Sequence, residues 1–370
     1  MRSGTISYLK GLITYTSKQS SNALKASREE LTKNGISYDL FHIDRGLKKP
    51  ILIRFGKKLK KDLLCIFSLM FNKYDFLIIN AGAGLMQRIM LTRCLIMISR
   101  LKDIDIYVRW GNEKLIFQKV LKLMGAKKYR TACSLMNSKH IKYHLTLSPA
   151  SAKDIFDELG IKNQLLIYNC NKLPEEYLLP RLPDEPPVVL NVATVQYLKG
   201  PDLFVKIASI VCAKHSTVRF VWVGDYADQL SSQLIKEMKL EDRVAFIGKI
   251  KPPYDWMQKA SLLLFTSRSD AFGLVCAEAM ACHRTVVCFS GSGPEFVVGD
   301  TGVVVPQWNI EQAANQVLDI INKPAEERIN SAANQRYLEM FSPEKYANRL
   351  AEVIHNPDRA LEKYKFINLN

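Results

Sequence analysis

The chain has 370 residues, 48% of them apolar and 24% charged, with eight cysteines and a formal charge of +16. That length allows two domains of ordinary size, each with its own core, and the composition excludes a disordered chain. The charge is uneven: residues 1–150 hold 28 Lys+Arg against nine Asp+Glu, whereas residues 151–370 hold 24 against 27. An anionic partner should therefore meet the N-terminal half.

Taken in chain order, Met1 to Ile13 is too polar for a secretory apolar core. Ser21 to Asn34 reads as helix and Tyr38 to Ile43 as strand. Lys57, Lys58, Lys60 and Lys61 then lead into the apolar run Leu63 to Phe71. Cations beside an apolar helix suit contact with an anionic membrane surface, though a core helix after a solvated turn would read the same way. Further strands are expected at Asp75–Asn80, Ile104–Val108, Leu145–Ser148 and Leu165–Asn169. The longest apolar candidate for a span, Asp75 to Ser99, is cut by Arg88 and Arg93. The cysteines at 65, 94, 133, 170, 212, 276, 282 and 288 form no CxxC pair and sit in apolar runs. They read as core thiols of a reducing compartment, not as disulfides or a zinc site. The expectation is a cytoplasmic protein, with a peripheral contact to the inner membrane face as an option.

Pro174 to Pro187 contains five prolines and four acids, the composition of a linker. The expected division is a first domain over 1–178, a linker over 179–187, a second domain over 188–350 and a tail over 351–370, with Pro343 to His355 helical. Beyond the linker, Val188–Ala193, Pro201–Cys212, Arg219–Gly224, Leu230–Leu240 and Val244–Ile247 alternate between strand and helix patterns, as βαβ units do. The same pattern recurs at Leu262–Phe265, which runs into Ser267–Ala281 (SRSDAFGLVCAEAMA). Asp270 sits in the loop and Glu278 about one turn inside the helix. Gly273 permits close backbone approach, and the first amides of a helix suit a phosphate. Carboxylates accept hydroxyl groups well, so a sugar nucleotide satisfies both halves of the pattern.

This stretch resembles the signature of retaining glycosyltransferases of family 4: an acid, a Phe272-Gly273-Leu274 turn, then Glu278-Ala279-Met280-Ala281, with seven residues between the acids. The resemblance extends through Lys199-Gly200-Pro201-Asp202, Val221–Asp225, Arg243–Gly248, Gly291–Glu295 and Thr301–Pro306, about the C-terminal half of the chain. It implies the GT-B architecture, α/β, with two Rossmann-like doubly wound domains facing a central cleft and a last helix that crosses back to the first domain. It also implies a retaining transferase acting on a nucleotide-diphosphate sugar, without a metal or other cofactor, in glycan assembly such as polysaccharide biosynthesis. By the same resemblance Lys199, Asp270 and Glu278 are catalytic: Lys199 meets the diphosphate, Asp270 the transferred sugar and Glu278 the ribose.

Donor binding would also involve Thr194, Gly200, Ile247, Gly248, Arg268, Phe272, Gly273, Leu274, Val275 and Glu295. Two departures stand out. The first acid is Asp270, not glutamate, and Thr194 stands where a diphosphate-binding arginine is usual, so one cation is missing unless Arg268 replaces it. His283 stands in place of a glycine and reads as structural. In the first domain the usual glycine-rich loop is reduced to Gly11. Arg109, Trp110 and Glu113, at a strand C-terminus, are nominated with Gly11 for the acceptor. The expected partners are the nucleotide sugar, a glycan or lipid-linked acceptor and an anionic membrane surface.

Other readings remain. A relative without transferase activity, either a sugar-nucleotide epimerase or an inactive partner subunit, would explain Thr194. A nucleic-acid or anionic-polymer binder would explain the basic charge, but the aromatics do not interleave with the Lys/Arg clusters, and no nucleic acid is expected. A dinucleotide fingerprint at Gly82-Ala83-Gly84 fails because residue 87 is Gln.

Overall fold

The structure, a computed structural model, describes residues 8–15, 22–42, 51–81, 89–111, 118, 121–225 and 229–366. The chain divides into two compact units, residues 1–170 with 343–370, and residues 171–342.

The first unit opens with β1 (Leu9–Tyr15), α1 (Asn22–Ala26), α2 (Arg28–Lys33), β2 (Ile36–His42) and α3 (Ile51–Phe71). It continues with β3 (Phe76–Ala81), α4 (Ile89–Leu101), β4 (Asp105–Trp110), α5 (Ala126–Met136), β5 (Ile141–Thr146), α6 (Pro149–Leu159) and β6 (Gln164–Leu166). Local chemistry sets these boundaries. Ser148 caps α6 in a reciprocal pair with Ser151, Pro149 fills the first turn, and Gly160 ends the helix in left-handed geometry. The strands form one parallel sheet in the order β2-β1-β3-β4-β5-β6. Leu69, Leu95 and Met136 bring α3, α4 and α5 onto one face, packed with Leu77 and Val108. Leu31, Tyr346 and Leu350 line the other face with Ile13 and Tyr107.

The second unit carries β7 (Val188–Val192), α7 (Pro201–Lys214), β8 (Arg219–Val223), α8 (Gln229–Glu237), β9 (Val244–Phe246), α9 (Tyr254–Lys259) and β10 (Leu262–Phe265). α10 (Leu274–Ala281), β11 (Thr285–Phe289), α11 (Gly293–Val298), β12 (Val303–Val305), α12 (Ile310–Ile321) and α13 (Ser331–Met340) complete it. Its parallel sheet runs β12-β11-β10-β7-β8-β9, the strand order of a dinucleotide-binding fold. The strands read as unbroken apolar runs because both sheet faces are covered. In such sheets the strand order reverses between β7 and β10, and the crevice beyond their carboxyl ends is where a ligand fits.

The boundaries differ from the composition-based division. The units part at Cys170 and Asn171, and the proline-rich segment belongs to the second unit. Arg284, with no exposed surface, donates to the main-chain oxygens of Met257 (3.2 Å), Gln258 (2.7 Å) and Arg181. Arg328 pairs with Glu185 at 2.7 Å. Prolines and acids read as solvated linker, but two buried arginines fasten them to the domain. The chain returns to the first unit at Pro343, before the expected boundary at 351, through α14 (Pro343–His355) and α15 (Pro357–Tyr364). There Tyr107 donates to the oxygen of Val353 at 3.4 Å.

Gly11 lies within β1, not in a loop, and a Cβ there would sit 2.1 Å from the Phe76 ring. The expectation that Gly11 belongs to a loop fails because Lys10 and Gly11 interrupt an otherwise mostly apolar strand.

Candidate active site in the second unit

The loops after β7 and β10 meet at the strand-order reversal. The turn Tyr197–Lys199 after β7 is held by the β10 loop: Thr266 Oγ1 donates to the Lys199 oxygen (3.1 Å), Ser267 Oγ to Leu198 (3.2 Å) and the Arg268 amide to Leu198 (2.8 Å). Asn191 at the end of β7 reaches Thr266 Oγ1 at 3.1 Å. Gly200 makes this possible. Its φ is +68°, and a Cβ would lie 2.1 Å from the Thr266 oxygen. Gly200→Ala combines backbone strain with a clash against main chain, so we expect a loss of about 2–3 kcal/mol, measurable as a lower urea midpoint.

Fastened in this way, the Lys199 ammonium stands 2.7 Å from Asp270 Oδ2, with both side chains mostly buried. The other carboxylate oxygen of Asp270 accepts the amides of Phe272 (3.1 Å) and Gly273 (2.7 Å). Burial alone would raise the Asp270 carboxyl, but the Lys199 charge and these amides outweigh it and hold its pKa below the ordinary value. Two amides nominated for the ligand are thus taken by Asp270, leaving those of Leu274 and Val275 in the first turn of α10 without helical acceptors. Gly273 adopts φ +80°, and a Cβ there would meet Pro294 at 2.7 Å, so the turn can close only over glycine. The Phe272 ring is buried against Phe341 in an edge-to-face contact.

Glu278 occupies a different environment. α10 is apolar on every side, so its position carries the carboxyl into the interior, 8% exposed. Asn171 Nδ2 donates to Glu278 Oε1 at 2.5 Å and to Tyr254 Oη at 3.1 Å, and Tyr337 anchors the Asn171 oxygen at 2.7 Å. Burial pushes the Glu278 pKa up to about 7, against the opposing effects of Asn171 and the Lys251 charge. One short segment therefore holds two carboxyl groups driven in opposite directions, Asp270 down and Glu278 up.

Arg268 does not supply the missing cation. It pairs bidentately with Asp202 at 2.7 and 2.9 Å, donates to the Tyr197 oxygen at 2.6 Å and stacks 4.0 Å over the Tyr197 ring. It clamps the two loops together. Thr194 is exposed in the β7 loop. Ile247 and Gly248 follow β9, where the Gly248 oxygen accepts the Gly224 amide at 2.8 Å. Glu295 is exposed and accepts its own loop's Gly291 amide at 2.7 Å. His283, at φ +59°, meets the Leu178 oxygen at 2.8 Å; the left-handed backbone explains why glycine is usual there.

In the first unit Arg109, the penultimate residue of β4, is almost fully buried and bonded to Asn80 (3.3 Å) and Asn169 (2.9 Å). Trp110 has no exposed surface, and its indole donates to His144 at 2.8 Å, so it is a core residue with no surface to offer a ligand. Glu113 lies outside the described residues. Sequence reasoning missed Asn171, Tyr254 and Asp202. Nothing local in the sequence ties Asn171 to a helix 107 residues away.

Residues 180–338 match the family of glycosyl transferases group 1. That match lies within the second unit, which is therefore similar to a group 1 glycosyl transferase domain. Among curated relatives, a D-inositol 3-phosphate glycosyltransferase of Thermobispora bispora is 29% identical over 186 residues, 46% of this chain and 44% of the relative. A poly(ribitol-phosphate) alpha-N-acetylglucosaminyltransferase of Staphylococcus aureus is 25% identical over 226 residues, 60% of this chain and 45% of the relative. The chain thus spans less than half the length of either. Among solved structures, the sucrose-phosphate synthase of Thermosynechococcus elongatus superposes with a TM-score of 0.73 at 16% identity, over 95% of this chain and 100% of that one. Anabaena HepE in complex with UDP and glucose gives 0.68 at 17% identity, over 94% and 100%. Likeness at this identity establishes the fold, the GT-B architecture, across both units.

Proposed function

We propose that the protein is a retaining glycosyltransferase that moves a sugar from a UDP-sugar to a hydroxyl of a glycan acceptor, lipid-linked or otherwise destined for the cell surface. The observation that carries this reading is the pairing of Lys199–Asp270 with a buried, separately held Glu278 at the strand-order reversal of the second unit. The ionised Glu278 would accept the ribose hydroxyls, and Asp270 would accept hydroxyls of the transferred sugar. Lys199 and the free amides of α10 would meet the leaving diphosphate, so in this reading its charge is balanced without a metal ion. The relative acting on poly(ribitol-phosphate) and the UDP bound in HepE support the choice of donor and of a polymeric acceptor class. Thr194 would leave the diphosphate with one cation fewer than usual. An inactive relative would share this geometry, so activity is the test. Incubation with UDP-glucose or UDP-N-acetylglucosamine and a panel of glycan acceptors, followed by NMR of the product, should show an α-linked product from the α-linked donor. An inverted product, or UDP binding with no turnover on any acceptor, would reject the proposal.

A further inference from the structure

Sixteen large hydrophobic side chains are exposed among the described residues, and ten of them lie on adjacent helical segments between Leu63 and Leu123. On α3 they are Leu63, Leu64, Phe67, Met70 and Phe71, one face of the last two turns, with Phe67 and Phe71 stacked at 5.9 Å. On α4 they are Met90, Met97 and Leu101, with the exposed Arg93 and Arg100 between them. Leu121 and Leu123 continue the row beside α5, where Lys127, Lys128 and Arg130 are exposed. α3 packs on α4 and α4 on α5, and Lys102 donates to the Leu69, Met70 and Asn72 oxygens, fastening the end of α4 to the end of α3. The three helices carry ten Lys+Arg and a single acid, Asp62.

We infer that this face of the first unit docks on an anionic lipid bilayer, with the Leu, Phe and Met side chains entering the acyl boundary and the cations meeting the head groups. Apolar surface and cations are interleaved here, which is the complementarity an anionic interface asks for. A soluble polyanion would satisfy the cations and leave the apolar row in water. No helix among the described residues is long and apolar enough to cross a membrane, so the contact lies on the surface. The inference rests on the proposed reaction only for its purpose, delivery of the enzyme to a lipid-linked acceptor; the docking itself can be measured apart from it.

The test is flotation of the full chain with phosphatidylglycerol/phosphatidylcholine vesicles and with phosphatidylcholine alone, with UDP titration of every variant as the check on folding. Binding is expected only to the anionic vesicles and should weaken in high salt. Phe67→Ser with Phe71→Ser and Leu101→Ser should lower it at least tenfold with the charge unchanged. Arg93→Gln with Arg100→Gln, Lys127→Gln and Lys128→Gln should remove most of its salt dependence. Failure to float, or equal flotation of the serine variant, would overturn the proposal whether or not UDP binds. So would RNA or heparin binding that the serine variant retains, or self-association that the serine variant abolishes, when either occurs without flotation.

Discussion

Glu278→Gln is expected to make the protein more stable at pH 8 and a poorer binder of its donor. The carboxyl is buried in an apolar helix, and its pKa stands at about 7 against an ordinary 4.5. A group raised on folding contributes stability that is complete below the unfolded value and is lost as pH rises through the folded one. The wild-type protein should therefore lose on the order of 3 kcal/mol between acid and pH 8 from this group alone. The glutamine variant keeps the Asn171 contact through its carbonyl and carries no charge to bury. Its advantage should be about 3 kcal/mol at pH 8, roughly 6–12 °C in melting temperature for a unit of this size, and should fall below about 1 kcal/mol by pH 5. Thermal melts at the two pH values check this, and a variant less stable than wild type at pH 8 would show that the carboxylate is not held against a burial cost.

Lys199→Met has the second large expected effect, of opposite sign. It removes the cation from a mostly buried pair and leaves Asp270 with two amides and no counter-charge. Breaking such a pair from one side costs about 2–4 kcal/mol, less than in a fully dry interior because both side chains keep some exposure. Asp270, held below its ordinary value, contributes stability above that value and loses it as pH falls, so the variant should also unfold with less dependence on acid. Adding Asp270→Asn should restore most of the stability without restoring affinity for UDP, which should stay on the order of 100-fold weakened because a charge-assisted contact to the diphosphate is gone. Urea unfolding of the four proteins gives the coupling directly. A double variant no more stable than Lys199→Met would mean that the pair is not what the single substitution breaks.

Much of the fold is legible in the amino-acid sequence. Strands such as Leu262–Phe265 and Thr285–Phe289 announce themselves because a parallel strand covered on both faces is a short unbroken apolar run. The first strand did not, since Lys10 and Gly11 interrupt its apolar run. Glu278 is nominated in the sequence by its spacing from Asp270 and by the resemblance alone. Its burial was not read from the sequence, although the run LVCAEAMA leaves no polar side for a carboxyl to face. The commitment of Arg268 to Asp202 was not, because the two meet only when the β7 and β10 loops are brought together by the sheet order. The same reason hides Asn171, which belongs to the chain's crossing into the second unit and is coupled to Glu278 only through the fold. The proline-rich segment misleads for a third reason: composition cannot reveal that Arg284 and Arg328 hold it.

The measurement that bears most directly on the site is calorimetric titration of UDP into wild-type protein and Glu278→Gln from pH 6 to pH 8.5. If the ionised Glu278 accepts the ribose hydroxyls, wild-type affinity should rise as pH passes through about 7 and then level, with proton release on binding at the lower pH values. The glutamine variant should bind at least about tenfold more weakly at pH 8, and its profile should keep only the change that ionisation of the UDP terminal phosphate gives both proteins. Superimposable profiles from the two proteins would contradict the assignment of Glu278 to the nucleotide and with it the placement of the donor in the second unit.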